Sequence, residues 1–140
     1  MVKLKKLGVF VLLVMCTACP EDRPLDGSMT IVNNSNENII SLGRMESMGD
    51  IESITNPKPW GQNPEQYLIP SGKKECELFS ANSVQQSLER GWRKYYLFNY
   101  DSVATIPWSR RRDERIILKE VTFHSWEEME ACNFTITYPY

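Results

Sequence analysis

The sequence predicts an all-β protein built as a sandwich, and three observations carry that prediction. Apolar or aromatic runs of strand length recur about seven or eight times after residue 28. Clusters of Asn, Gly, Pro and Ser separate them, and these residues make turns. Helical periodicity is confined to short stretches near residues 83–90 and 125–132.

Residues 28–32 alternate weakly and end in Asn33-Asn34-Ser35-Asn36, a turn cluster. Residues 38–42 resume the apolar run, so the two segments read as a hairpin. Residues 43–66 are the least regular part. They carry Pro57, Pro59 and Pro64 and read as a long loop with one short strand or helical turn near residues 50–54. A long loop in a small domain is a place to look for function, which makes Trp60 the candidate ligand contact. Tyr67-Leu68-Ile69 is strand-like, and Pro70-Ser71-Gly72-Lys73 is a turn.

Residues 75–79 form a strand with Cys76 and Leu78 on one face and Glu75 and Glu77 on the other. Residues 83–90 read as a short helix, with Ser83 and Gln86 at capping-box spacing and Gly91 to end it. Residues 92–100 are rich in aromatics and form a strand, with Tyr96/Phe98 and Tyr95/Leu97 on opposite faces. Asp101-Ser102 reads as a turn, residues 103–108 as a short strand, 110–115 as a charged connection and 116–123 as a strong strand. Ser125 then caps a short helix whose first turn holds Glu127 and Glu128, opposing the positive end of the helix dipole. Asn133 tolerates the left-handed exit. Phe134, Ile136 and Tyr138 alternate with Thr135 and Thr137 in a closing strand. These elements assemble into a β-sandwich of the immunoglobulin/transthyretin-like kind with one or two short helices. A sheet carrying a single packed helix is the competing arrangement.

The first residues bear on location. Lys3, Lys5 and Lys6 precede an apolar run, residues 7–15, broken only by Gly8. That run is shorter than the roughly 20 apolar residues a spanning helix needs. A basic start, a short apolar run and the small pair Thr17-Ala18 read as a secretory signal. The stretch Leu13-Val14-Met15-Cys16-Thr17-Ala18-Cys19 resembles the lipobox of bacterial lipoproteins. There, small residues precede a cysteine that takes the lipid and becomes the first mature residue. The resemblance implies a signal peptide over residues 1–18 and lipidation, of the palmitate kind, at Cys19. Position −3 is Cys16 where the family prefers Leu. Cys16 is itself the rival, but bulky Met15 stands where a small residue is wanted. Residues 19–27 read as a tether and 28–140 as the domain. The acidic pair Glu21-Asp22 resembles the export signal by which some Bacteroidetes-type lipoproteins reach the outer face of the cell, and it equally fits a generic solvated linker; the resemblance implies an outer-membrane lipid anchor, on the surface or the periplasmic face.

Removing residues 1–18 leaves 122 residues, the size of one domain. The loss of three lysines leaves 13 basic against 18 acidic side chains, a net charge of −5. A nucleic-acid binder needs a basic field, so that class is set aside. Two cysteines, Cys76 and Cys132, remain. In an oxidising compartment they form a disulfide, contributing about 4 kcal/mol by loop entropy, or they stand as two buried thiols. With one histidine and no CxxC or HxxxH spacing, no metal site is expected. No Gly-rich phosphate loop and no Gly-x-Ser-x-Gly elbow occurs, so no cofactor is expected.

Ile31-Val32-Asn33-Asn34-Ser35, Tyr67-Leu68-Ile69-Pro70-Ser71-Gly72, Tyr96-Leu97-Phe98-Asn99-Tyr100-Asp101, Pro107-Trp108, Thr122-Phe123-His124-Ser125-Trp126-Glu127 and the ending Asn133-Phe134-Thr135-Ile136-Thr137-Tyr138-Pro139 follow in order. Taken together, the chain resembles a family of small Bacteroidetes-type lipoproteins, over nearly all of its mature length. The resemblance implies an envelope location and a sandwich-like domain, and it transfers no catalytic residue. Asp101-Ser102-Val103 resembles that group's acceptor pattern for O-glycosylation at Ser102, although a plain turn explains the same residues.

His124 lies beside a helix cap, where a structural role outweighs a general base without placed partners. Glu127, Glu128 and Glu130 are candidates for paired carboxylates, but helix-start glutamates already have an electrostatic reason to exist. The run from Arg110 to Arg115 is offset by Asp113 and Glu114 and reads as a solvated hairpin end. Trp60, Trp92, Trp108 and Trp126, with Tyr67, Tyr95 and Tyr100, supply either core or a stacking platform. The favoured function is a non-enzymatic binding or scaffolding module at the cell envelope, held to the membrane by its N-terminal lipid, with a glycan or an envelope protein as partner. The alternative is an enzyme acting on envelope or dietary polysaccharide through two carboxylates.

Overall fold

A computed structural model describes residues 26–53, 64–110, 112 and 116–140. The segment with Cys16 and Cys19, the tether up to residue 25, and Trp60 lie outside the described residues. Seven strands are present among those described: β1 (Gly27–Asn33), β2 (Ile39–Met45), β3 (Leu68–Ile69), β4 (Lys74–Phe79), β5 (Arg93–Asn99), β6 (Ile117–Phe123) and β7 (Thr135–Tyr138). They form two sheets. One has the order β4-β1-β7, with β1 antiparallel to β4 and parallel to β7. The other is antiparallel throughout, in the order β3-β2-β5-β6.

The two sheets share one core. Met29, Ile31 and Ile136 of the three-stranded sheet meet Tyr95, Leu97 and Phe123 of the four-stranded sheet. The opposite face of the four-stranded sheet is also covered. Ile40, Tyr96 and Phe98 lie under Ile51, Trp108 and Ile116. Tyr95 and Leu97 on one face of β5 and Tyr96 and Phe98 on the other are therefore all fully buried, although a surface strand would bury one face. Each such side chain contributes about 1.5–3 kcal/mol by leaving water.

Three α-helices complete the described fold, one more than the sequence predicts: α1 (Ala81–Arg90), α2 (Tyr100–Thr105) and α3 (Trp126–Ala131). In α1 the cap is Ser80, whose side chain accepts from the Ser83 N–H, so the helix starts earlier than Ser83-Gln86 spacing implies. Val84 and Leu88, one turn apart, bury its apolar stripe against the shared core. The short strand expected over residues 103–108 is absent. The Asn99 side chain accepts from the Ser102 N–H at 2.8 Å and starts α2 instead. Pro107 restricts Ile106 to extended backbone, and the helix ends there. The expected α3 cap is present. Ser125 Oγ accepts from Glu128 N–H, and the Glu128 carboxylate accepts from His124 N–H at 2.7 Å. The exit is left-handed at both Asn133 and Phe134.

The hairpin expected from residues 28–32 and 38–42 does not form. β1 and β2 lie in different sheets. The cause is Asn33, which is fully buried. Its Nδ2 donates to Glu37 O at 2.7 Å and Ile69 O at 2.9 Å, while its Oδ1 accepts from Ser35 N–H and Ser35 Oγ. The turn becomes an arch carrying the chain from one sheet to the other.

No disulfide joins Cys76 and Cys132; both are free thiols. β4 pairs Cys76 with Thr30, and their side chains meet at 3.6 Å on the outer face of the sheet. Cys132 packs on the inner core, and its Sγ lies 3.1 Å from Met129 O. The sheet stands between the two sulfurs. The buried-thiol reading fails for Cys76 as well, because it is exposed.

Candidate functional site

Alternation on β4 runs opposite to hydrophobicity. Glu75 and Glu77 pair with Ile31 and Met29, whose side chains are buried between the sheets, so the glutamates turn inward. Leu78 turns outward and is 60% exposed. Two features make this register tolerable. Arg93, on β5 of the other sheet, reaches Glu77 Oε1 at 2.8 Å, and its side chain is 7% exposed against 30% for Glu77. Gly43 of β2 makes room for the pair: a Cβ there would sit 2.4 Å from Glu77 Oε1 and 2.8 Å from Arg93 Nη2.

Small Ser41 and Gly43 on β2, facing the glutamates of β4, leave a cleft of about 420 Å³ between the sheets. Leu42, Gln66 and Tyr67 complete that wall. Tyr67 is 47% exposed at the cleft's mouth. Burial raises the Glu77 carboxyl above its usual 4.5, against the opposing pull of Arg93. A raised acid favours the folded state below its unfolded value and loses that contribution as pH rises through the folded one. The Tyr95 hydroxyl, which accepts from Arg93 Nε at 3.3 Å, is pushed up to about 12, chiefly by burial.

A second charged cluster ties the segment after β2 to the four-stranded sheet. Lys94 Nζ lies 2.6 Å from Asp50 and 3.3 Å from Glu120. The Tyr96 hydroxyl donates to Asp50, and Arg112 pairs with Glu52. Burial acts to raise Asp50, but hydrogen bonds from Lys94, Tyr96 and Ile51 N–H outweigh it and hold the carboxyl at about 2. Burial and the same Asp50 bond push the Tyr96 hydroxyl far above its usual range. Every group here has a partner, so the cluster holds structure together.

The sequence candidates are dispersed. Glu128 caps α3, and Glu130 accepts from Trp126 Nε1 at 2.7 Å. His124 and Glu127 line a shallow depression of about 390 Å³ between α1 and α3. Trp126 also borders a neighbouring groove, where it packs on Phe134 with ring centres 5.1 Å apart. Trp108 and Tyr95 are core, and Lys94 lies over the Trp92 ring at 4.8 Å. Ser102 sits in the first turn of α2, half-buried. The carboxylates that do line a cleft, Glu75 and Glu77, carry the pattern of a solvent face. Their one sequence signal is a pair of acids two residues apart in a strand.

Among the described residues, no helix is long and apolar enough to cross a membrane, and no group of three or more His, Cys, Asp or Glu is placed to hold a metal ion. No protein-family model, curated protein or solved structure matches the chain.

Proposed function

We propose that this chain is an exported lipoprotein, anchored through an acyl chain on Cys19, whose β-rich body is a non-enzymatic binding module at the cell envelope. The lysine-led apolar start and the small residues before Cys19 support the anchor. The shared core of the two sheets supports the finer reading of the fold as an immunoglobulin/transthyretin-like sandwich. The observation that carries the binding reading is the cleft between β4 and β2. Its volume of about 420 Å³ falls in the range of ligand sites, and it combines an exposed ring with an amide, a hydroxyl and carboxylates.

Two measurements test this reading. The intact mass of the membrane-extracted protein is expected to begin at residue 19 and carry added acyl mass, which Cys19→Ala abolishes. The same protein, applied to a glycan array and to envelope extract, is expected to retain a ligand that Tyr67→Ala releases. An unprocessed chain in the soluble cell interior, or retention indifferent to Tyr67, overturns the proposal. The second reading, a polysaccharide-cleaving enzyme, draws on Glu75 and Glu77 sharing one face of the cleft. It requires hydrolysis that Glu75→Gln removes.

A further inference from the structure

The three-stranded sheet has one strand fewer than the sheet beneath it. Glu77 of β4 contacts Arg93 of β5 across Gly43 of β2, and Lys119 of β6 donates to Thr137 O of β7 at 2.8 Å. Hence β4 lies over β2 and β7 over β6. The cleft lies between β2 and β4, beside Tyr67.

Among the described residues, β4 is an edge strand of six residues. Asn33 N–H donates to Lys73 O at 2.9 Å. By antiparallel alternation from this bond, residues 75 and 77 turn their backbone groups to β1, and Lys74, Cys76 and Leu78 turn theirs to the edge that no described strand covers. Exposed edges of this kind are templates for another strand.

We propose that the β4 edge and the adjoining cleft accept an extended basic segment of a partner protein, added as a fourth strand to the three-stranded sheet. This names the partner class for the binding reading and rests on it. Main-chain hydrogen bonds to Lys74, Cys76 and Leu78 supply affinity, and alternate side chains of the guest enter the cleft. The inward glutamates choose those side chains. Glu77 already has Arg93, but Glu75 is exposed at the rim and has no ion pair among the described residues. Lysine or arginine on the guest meets Glu75 and the face of Tyr67. The same charges disfavour a second copy of this chain. Antiparallel pairing of two β4 edges centred on residue 75, 76 or 77 sets glutamate opposite glutamate, which destabilises a ladder.

The test uses the full-length membrane-extracted protein and fluorescent peptides of about eight residues, long enough to span one strand. One peptide alternates lysine with threonine and valine; its counterpart carries glutamate for lysine. The expected result is binding of the basic peptide, read by anisotropy, with slowed amide exchange at Lys74, Cys76 and Leu78. Cys76→Pro removes an edge N–H without touching the β1 ladder and is expected to weaken binding by roughly tenfold or more. Glu75→Lys is expected to reverse the preference between the two peptides with an unchanged circular dichroism spectrum, which keeps the test sound if the proline variant fails to fold. Equal binding of both peptides, or binding indifferent to Glu75→Lys, overturns the proposal. So does protection of the three amides before any peptide is added. Concentration-dependent dimerisation lost in Cys76→Pro assigns the edge to a second copy instead. Glycan retention that Tyr67→Ala releases, with neither peptide bound, overturns the strand and leaves the binding module standing.

Discussion

Asp50 shows how one side chain couples a loop to a sheet. Its carboxylate takes bonds from Lys94, Tyr96 and Ile51 N–H, and its pKa of about 2 lies below the ordinary 3.8. A depressed acid contributes stability above its unfolded value and loses it as pH falls through the folded one. Asp50→Asn is therefore expected to lower the melting temperature near pH 7. The gap to the parent protein narrows as pH falls from about 4 towards 2, where the parent carboxylate also protonates. Melting curves at about pH 7 and about pH 2.5 read this directly, and a constant gap would rule out the carboxylate as its source. Gly43 is a contrasting residue. Its role is the absence of a Cβ between Glu77 and Arg93, so its importance lies in what its neighbours do.

Elements here are decided by their ends. The strand β5 stops because the Asn99 side chain offers the next turn a cap, and a helix grows where alternation suggested a strand. The helix α3 was legible because its cap and its acid stand at fixed spacing in the sequence, although burial of Met129 in the shared core also holds it. Ser125→Ala is expected to destabilise the protein by about 1 kcal/mol, the usual cost of losing a serine cap. Urea denaturation checks it; a change below a few tenths would mean that packing of Trp126 and Met129 alone holds the helix. The turn at Asn33-Ser35 was also legible as a turn. Its consequence was not, because Ile69 O, one of the partners that make it an arch, lies 36 residues further along the chain.

At the scale of the molecule, the two thiols report the layering of the sheets. Cys76 faces solvent beside Thr30, and Cys132 packs inside on the shared core. An aromatic disulfide reagent is expected to modify Cys76 at once in the native protein, and Cys132 only slowly or after unfolding. Mass measurement before and after reduction is expected to show no change in bridging between them. Equal labelling rates would contradict a sheet standing between the two sulfurs. The same layering explains β5. Its run of four fully buried residues belongs to a strand covered on both faces, by the second sheet on one side and by Ile51, Trp108 and Ile116 on the other.

The sequence by itself determined the strand-rich character, most strand positions, the α3 cap and the chemical pattern around Cys19. Those features depend on alternation and on contacts within a few residues, so they are written locally. Tertiary structure alone decided which strands pair, which face of β4 turns inward and that the two cysteines stay apart. The reason is physical: hydrophobic pattern alone would send Cys76 and Leu78 inside. A glutamate is accepted there because Arg93 arrives from the opposite sheet, and because Gly43, from a third strand, leaves space for both.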